Sequence, residues 1–274
     1  MNLTDKLESA EHRFKQILEE FFITLYDERL LTSHGIDHHR SVWNYAKNLF
    51  LLLAADNLIS KNFSPSGLII ACYLHDIGMS IDPGISHGRH SRDICSRFLK
   101  ENKLNESDFH DVLEAIENHD DKEYKITAGN YNLLTILSVA DDLDAFGFTG
   151  IYRYSEIYLA RGVDPEILGK LVMHNASKRF DNFASTFGFS EKLILSHRKR
   201  FDIIENFFKE YNKQVTVYQF GMNIPSGYCG VIEVIQSLIN NRKNLKDLYR
   251  EPGKYSHDPV IRWFFDELFS DQSI

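Results

Sequence analysis

Apolar positions recur along this chain at helical rather than strand spacing. From 36 to 58, Val42, Ala46, Leu49, Phe50 and Leu53 fall on one side of a 3.6-residue turn while Arg40, Asn44, Lys47 and Asn48 fall on the other, which predicts an amphipathic helix. Residues 67–76 are apolar all round. A helix there has no face to give to water, so it is predicted to lie centrally, with Gly78 placed to end it. The same period predicts helices over 5–30, 88–101, 106–119, 130–145, 149–161, 165–185 and 190–212, with Pro165 suiting a first turn. One stretch alternates instead: QVTVYQF, 214–220, is expected to be extended and is followed by the breaker-rich GMNIPSGYCG. Beyond it, 229–249 and 258–269 return to helical spacing. With no internal repeat or low-complexity linker, the expectation is an all-α domain over 1–212 with a C-terminal helical extension, 213–274, packed on it.

The central run GLIIACYL ends in HDIGM, which sets His75 and Asp76 side by side where the pattern calls for an interior. A buried carboxylate without a partner costs several kcal/mol or gives up its charge, so the pair implies other groups nearby. Candidates exist on three further helices. His38 continues the inward edge of Val42 and Ala46, although its neighbour His39, one turn before Trp43, rivals it. Asp141 shares a stripe with Leu134 and Leu137, Asp144 is next in line, and Asp142 lies with Thr135 and Ser138. His119 extends the stripe of Val112 and Ile116. His34, His39, His87, His110, His174, His197 and His257 are taken as surface, capping or structural. Imidazoles and carboxylates converging without thiolate suit a divalent ion such as Mn, Fe, Zn, Ni or Co. Adjacent helical residues diverge by about 100°, so His75 and Asp76 both reach one ion only if it lies beside the helix end.

Composition narrows the class. At 43% hydrophobic and 26% charged over 274 residues, the chain is ordinary for a soluble globular protein. No apolar run approaches the roughly 18 residues that cross a bilayer, and the opening MNLTDKLESAEHRF lacks the pattern of a secretory signal. The expectation is a cytoplasmic protein that does not meet membranes. A formal charge of −8 argues against a surface for long nucleic acids, yet it leaves room for a small phosphorylated substrate, because a bound ion supplies local positive charge. Cys72, Cys95 and Cys229 form no CxxC pair and are expected to be buried thiols.

The joint order of these groups resembles the HD-domain superfamily of metal-dependent phosphohydrolases. DHHRSVWNYA is similar to the family's H-x-x-x-V opening helix, YLHDIG to its LLHDIG core and SVADDLDAFG to its A-D-x-L-D-A segment. The resemblance implies His38, His75, Asp76 and Asp141 as primary metal ligands, selecting His38 over His39, and Asp76 as a catalytic residue that orients water. HGRHSRDICSRFL resembles the family's His-Ser helix start and AIENHDD its later I-x-x-H helix end; carried over, His90 (with His87 its rival) and His119 complete a second metal position. GFTGIYR resembles a Gly- and Arg-bearing stretch of small bacterial members, which makes Arg153 a candidate substrate contact, with Lys122, Lys178 and Arg179 as further cations. The implied activity is hydrolysis of a phosphoester or phosphoanhydride of a small molecule, possibly a nucleotide, with one or two divalent ions (Mn, Mg, Fe, Zn, Ni or Co). A non-haem di-iron oxygenase and a non-catalytic ligand-binding module are the alternatives the same fold offers. The acidic pair of guanosine polyphosphate hydrolases and the HHE or GYP segments of cyclic dinucleotide phosphodiesterases are not found. The resemblance is good over 34–160, faint to 212 and absent beyond, where the aromatic-rich YREPGKYSHDPVIRWFFDELF suits a cap, a homo-oligomer contact or plain helical packing.

Overall fold

The computed structural model describes residues 2–26, 31–121, 131–222, 224–243, 245–250 and 257–272, and the described chain divides into two compact units. The first comprises Met1–Asp27 and His34–Asp144, the second Glu28–Ser33 and Ala145–Ile274. This division falls after Asp144, so the boundary expected near 213 lies inside the second unit. Every regular element among the described residues is helical. Among those residues no helix is long and apolar enough to cross a membrane.

In the first unit, α1 (Leu3–Leu25) starts at a capping box: Asn2 accepts from the Asp5 amide at 2.8 Å, and Asp5 accepts in return from the Asn2 amide at 3.2 Å. Its buried stripe, Leu7, Ala10, Phe14, Leu18 and Phe22, faces α3 (Pro65–Leu74). Ser64 caps α3 through the Gly67 amide and Pro65 opens it. All nine of the described α3 residues from Gly67 onward and Pro65 that line the core are apolar because α3 packs against α1 and against α2 (Ile36–Ala55), α4 (His87–Glu101), α5 (His110–Asn118) and α6 (Leu133–Asp144). Central position thus explains the apolar run. α2 stops at Ala55 through a left-handed Asn57, φ 56°, with the Leu58 amide returning to the Leu53 carbonyl at 2.9 Å.

Gly78 does not act as a helix terminator. α3 has already ended at Leu74, and Gly78 sits in a 3₁₀ turn, Ile77–Ser80, where a Cβ would stand 2.2 Å from the His87 carbonyl oxygen and 2.5 Å from the Ser91 amide. Close approach of backbone, rather than a left-handed conformation, is what requires glycine here.

The second unit contains α7 (Gly147–Ala160), α8 (Pro165–Phe187), α9 (Glu191–Gln214), α10 (Gly227–Asn240), α11 (Leu245–Arg250) and α12 (Pro259–Gln272). α7 packs against α8, α9, α10 and α12. Its buried Glu156 accepts hydrogen bonds from the amides of Thr32 at 3.0 Å and Ser33 at 2.8 Å, capping the turn that those residues open.

Two expectations fail in this unit. The stretch 214–220 is not a strand: α9 runs through Gln214, residues 215–217 turn, and the Val217 and Tyr218 amides return to the Gln214 carbonyl at 3.1 Å each. An alternating segment becomes a strand only beside a partner, and no strand occurs among the described residues. The helix expected over 229–249 is broken after Asn240. Arg242 adopts φ 51° and the Lys243 amide reaches the Leu238 carbonyl at 2.9 Å, a Schellman ending.

Candidate metal centre

His75 follows the last residue of α3, and its Nδ1–H is donated to the Cys72 carbonyl at 3.0 Å. A carbonyl accepts and never donates, so in the neutral ring Nε2 carries the lone pair. The same device recurs. His119, just past the end of α5, donates from Nδ1 to Ile116 at 2.7 Å, and His87, at the start of α4, donates to Gly84 at 2.7 Å. Each acceptor lies three residues back. At the ends of α3 and α5 these are the carbonyls a helix leaves without intrahelical partners. His38, on the first turn of α2, instead gives Nδ1–H to Asp144 Oδ2 at 2.8 Å, and Ser41 donates to the other oxygen at 2.5 Å.

Four Nε2 atoms are thereby aimed at one place, and Asp76 stands in it. Its Oδ2 is 3.4 Å from His38 Nε2 and 3.5 Å from His75 Nε2, whereas its Oδ1 is 3.0 Å from His119 Nε2 and 3.3 Å from His87 Nε2. Asp141 Oδ1 lies 3.9 Å from His38 Nε2 and 3.8 Å from His75 Nε2. Two donor groups result, His38, His75, Asp76 and Asp141 in one and Asp76, His87 and His119 in the other, with the donor atoms within each no more than 4.8 Å apart. All are buried.

This set fits a divalent cation. Donors about 2.1 Å from one ion lie roughly 3 Å apart when adjacent and roughly 4 Å apart when opposed, which is the range observed. Without an ion, the facing lone pairs require protons in their place. Accordingly, burial disfavours protonation of His87, but the Asp76 carboxylate outweighs it and raises the imidazole to about 9. Burial likewise disfavours the Asp76 anion, and the imidazoles of His75, His119, His38 and His87 reverse that, holding the carboxyl well below its usual range. His75, enclosed completely, is lowered by burial.

The residues expected from sequence divide as follows. His38, His75, Asp76, Asp141 and His119 meet. His90 does not: it is partly exposed on α4 and belongs to neither group, while His87 takes the position. The stripe His87, Ser91, Cys95 and Phe98 is buried, and an i, i+4 reading would have favoured His87. Gly88 permits it, since a Cβ there would meet the Glu117 carbonyl at 2.6 Å and separate α4 from the end of α5. His34, also taken as peripheral, is buried with Nε2 4.0 Å from Asp76 Oδ2. His39 is structural: it packs on Phe22 with ring centroids 4.3 Å apart and donates from Nδ1 to Cys72 at 3.2 Å. Asp144 orients His38 and is in neither donor group. His197, taken as surface, capping or structural, is buried in the second unit against Phe183. Arg153 is buried on α7 of that unit and so does not face solvent. Lys122 lies outside the described residues. Cys72, Cys95 and Cys229 are buried thiols, as expected.

An all-α unit whose core is interrupted by a buried His/Asp cluster of this kind is consistent with a helical protein class that holds a divalent ion. Residues 32–145 match the family model described as HD domain. No curated protein and no solved structure matches the chain.

Proposed function

We propose that the chain is a metal-dependent phosphohydrolase that cleaves a phosphoester or phosphoanhydride of a small molecule, a nucleotide being one such substrate. The observation that carries the reading is the division of Asp76, one carboxylate oxygen toward each donor group. A carboxylate so placed suits two ions held side by side. When bound, one or two divalent ions supply the Lewis acidity that lets water attack a phosphoryl group at neutral pH. The chain's own residues would do the rest: His38, His75 and Asp141 would hold the first position, His87 and His119 the second, and Asp76 would serve both and orient water.

The test is metal analysis of the purified full-length chain, followed by assay against phosphomonoesters, phosphodiesters and nucleotides with Mn, Mg, Co, Ni, Zn and Fe in turn. Metal-dependent release of phosphate or of a phosphorylated product, abolished together with metal content by Asp76→Ala, is the expected result. Iron with O₂ consumption and no hydrolysis would replace it with the oxygenase chemistry the same ligand types allow. Metal binding without turnover of any substrate would leave a ligand-binding module.

A further inference from the structure

We infer that Asp144 is a positioning residue of the centre, which through His38 makes the first donor group the tighter of two unequal metal positions; this rests on the reading of the cluster as a metal centre. The geometry separates His38 from its companions. His75, His87 and His119 each give Nδ1–H to a neutral backbone carbonyl, whereas His38 gives it to a carboxylate at 2.8 Å. Asp144 is itself buried, and Ser41 holds its second oxygen at 2.5 Å. His38 and Ser41 are one helical turn apart on α2, as Asp141 and Asp144 are on α6, and the two helices pack together. One turn of α6 therefore supplies a donor to the centre and the next supports the ring opposite.

A carboxylate draws the Nδ1 proton more strongly than a carbonyl does, which raises the basicity of Nε2 toward a cation. Charge acts in the same direction. Asp76 and Asp141 belong to the first group with Asp144 directly behind it, whereas the second group shares Asp76 and, among the described residues, has the exposed Asp120 3.9 Å from His87 Nε2. The first position fills first and holds its ion more firmly.

Cobalt(II) is the probe, titrated into chelator-stripped full-length protein with visible absorption and chelator competition as readouts. Wild type is expected to show a tight and a weak step. Asp144→Asn keeps the size of the side chain and an acceptor oxygen but removes the charge; it is expected to weaken the tight step about 10- to 100-fold and to alter its absorption bands, with the weak step unchanged. His87→Ala is expected to remove the weak step and leave the tight one. Ser41→Ala, which loosens Asp144 without removing it, is expected to weaken the tight step by less than about 10-fold and keeps the question answerable should Asp144→Asn not fold. A tight step and spectrum unchanged in both Asp144→Asn and Ser41→Ala would overturn the inference while leaving the metal centre standing. So would equal weakening of both steps with a lowered thermal midpoint in chelator, which would reduce Asp144 to packing. Wild-type protein that takes up no cobalt would overturn the centre itself.

Discussion

The Nε2 atoms of His38 and His75 face each other at 3.2 Å while the opposite nitrogen of each ring is engaged by Asp144 and the Cys72 carbonyl. Two neutral imidazoles so placed point lone pairs at one another, a repulsion that only a proton or a metal ion between them relieves. A resident ion binds the folded chain and not the unfolded one, so it adds to stability by mass action. Stripping it with chelator is expected to lower stability, and returning a divalent ion at about 100 times its dissociation constant to restore about 2.7 kcal/mol. Thermal or urea unfolding with and without chelator checks this; equal stability in both would contradict it.

Asp76 serves both donor groups and Asp141 only one. Asp76→Asn is expected to abolish uptake at both positions and to cut turnover by more than about 100-fold, since even changes behind the ligands cost about 10- to 100-fold. Asp141→Asn should spare the second position. His90→Ala, at a partly exposed position outside both groups, is expected to change stability by less than about 0.5 kcal/mol and to leave metal content as in wild type. Metal stoichiometry of the three variants separates these outcomes.

Gly78→Ala tests the close approach behind the centre. The added methyl would stand 2.2 Å from the His87 carbonyl oxygen and 2.5 Å from the Ser91 amide, atoms of backbone that cannot rotate away. The expected cost is about 3 kcal/mol in chemical denaturation, accompanied by weaker metal binding because α4 carries His87.

A pH dependence is expected from the second unit. His197 is 7% exposed, and burial first, then the nearby Arg200 guanidinium, lowers its pKa to about 4. The unfolded chain, with an ordinary imidazole near 6.5, therefore binds a proton that the folded chain refuses. Stability from this group is full above about 6.5 and is lost as pH falls toward 4, by at most about 1.4 kcal/mol per pH unit. His197→Gln should flatten the pH profile of urea unfolding between 6.5 and 4; an unchanged slope would exclude His197 as its source.

Much of this arrangement was legible before folding was considered. Helical spacing located most of the elements, and the placement of His75 and Asp76 at the end of an all-apolar run announced a buried charge that needed company. Periodicity reached its limit where burial stopped discriminating. Every residue of α6 is buried, so the stripe argument that favoured Asp141 over Asp142 and Asp144 had no solvent-facing side to lean on; contacts from other helices decided it. His38 and His39 are likewise both buried on α2, one turned to the centre and one to Phe22. His87 was obscured because the expected helix began at 88, one residue past it, which left it off the buried stripe of Ser91, Cys95 and Phe98. The supposed strand at 214–220 misled because alternation reports exposure, and pairing is a property of the whole fold.

Three imidazoles of the centre take their direction from a carbonyl three residues earlier in the same chain. Such rings are aimed as soon as their own turn has formed, without waiting for the helices to dock. Assembly then brings ready-oriented nitrogens together, and little rotational freedom remains for an arriving cation to freeze out.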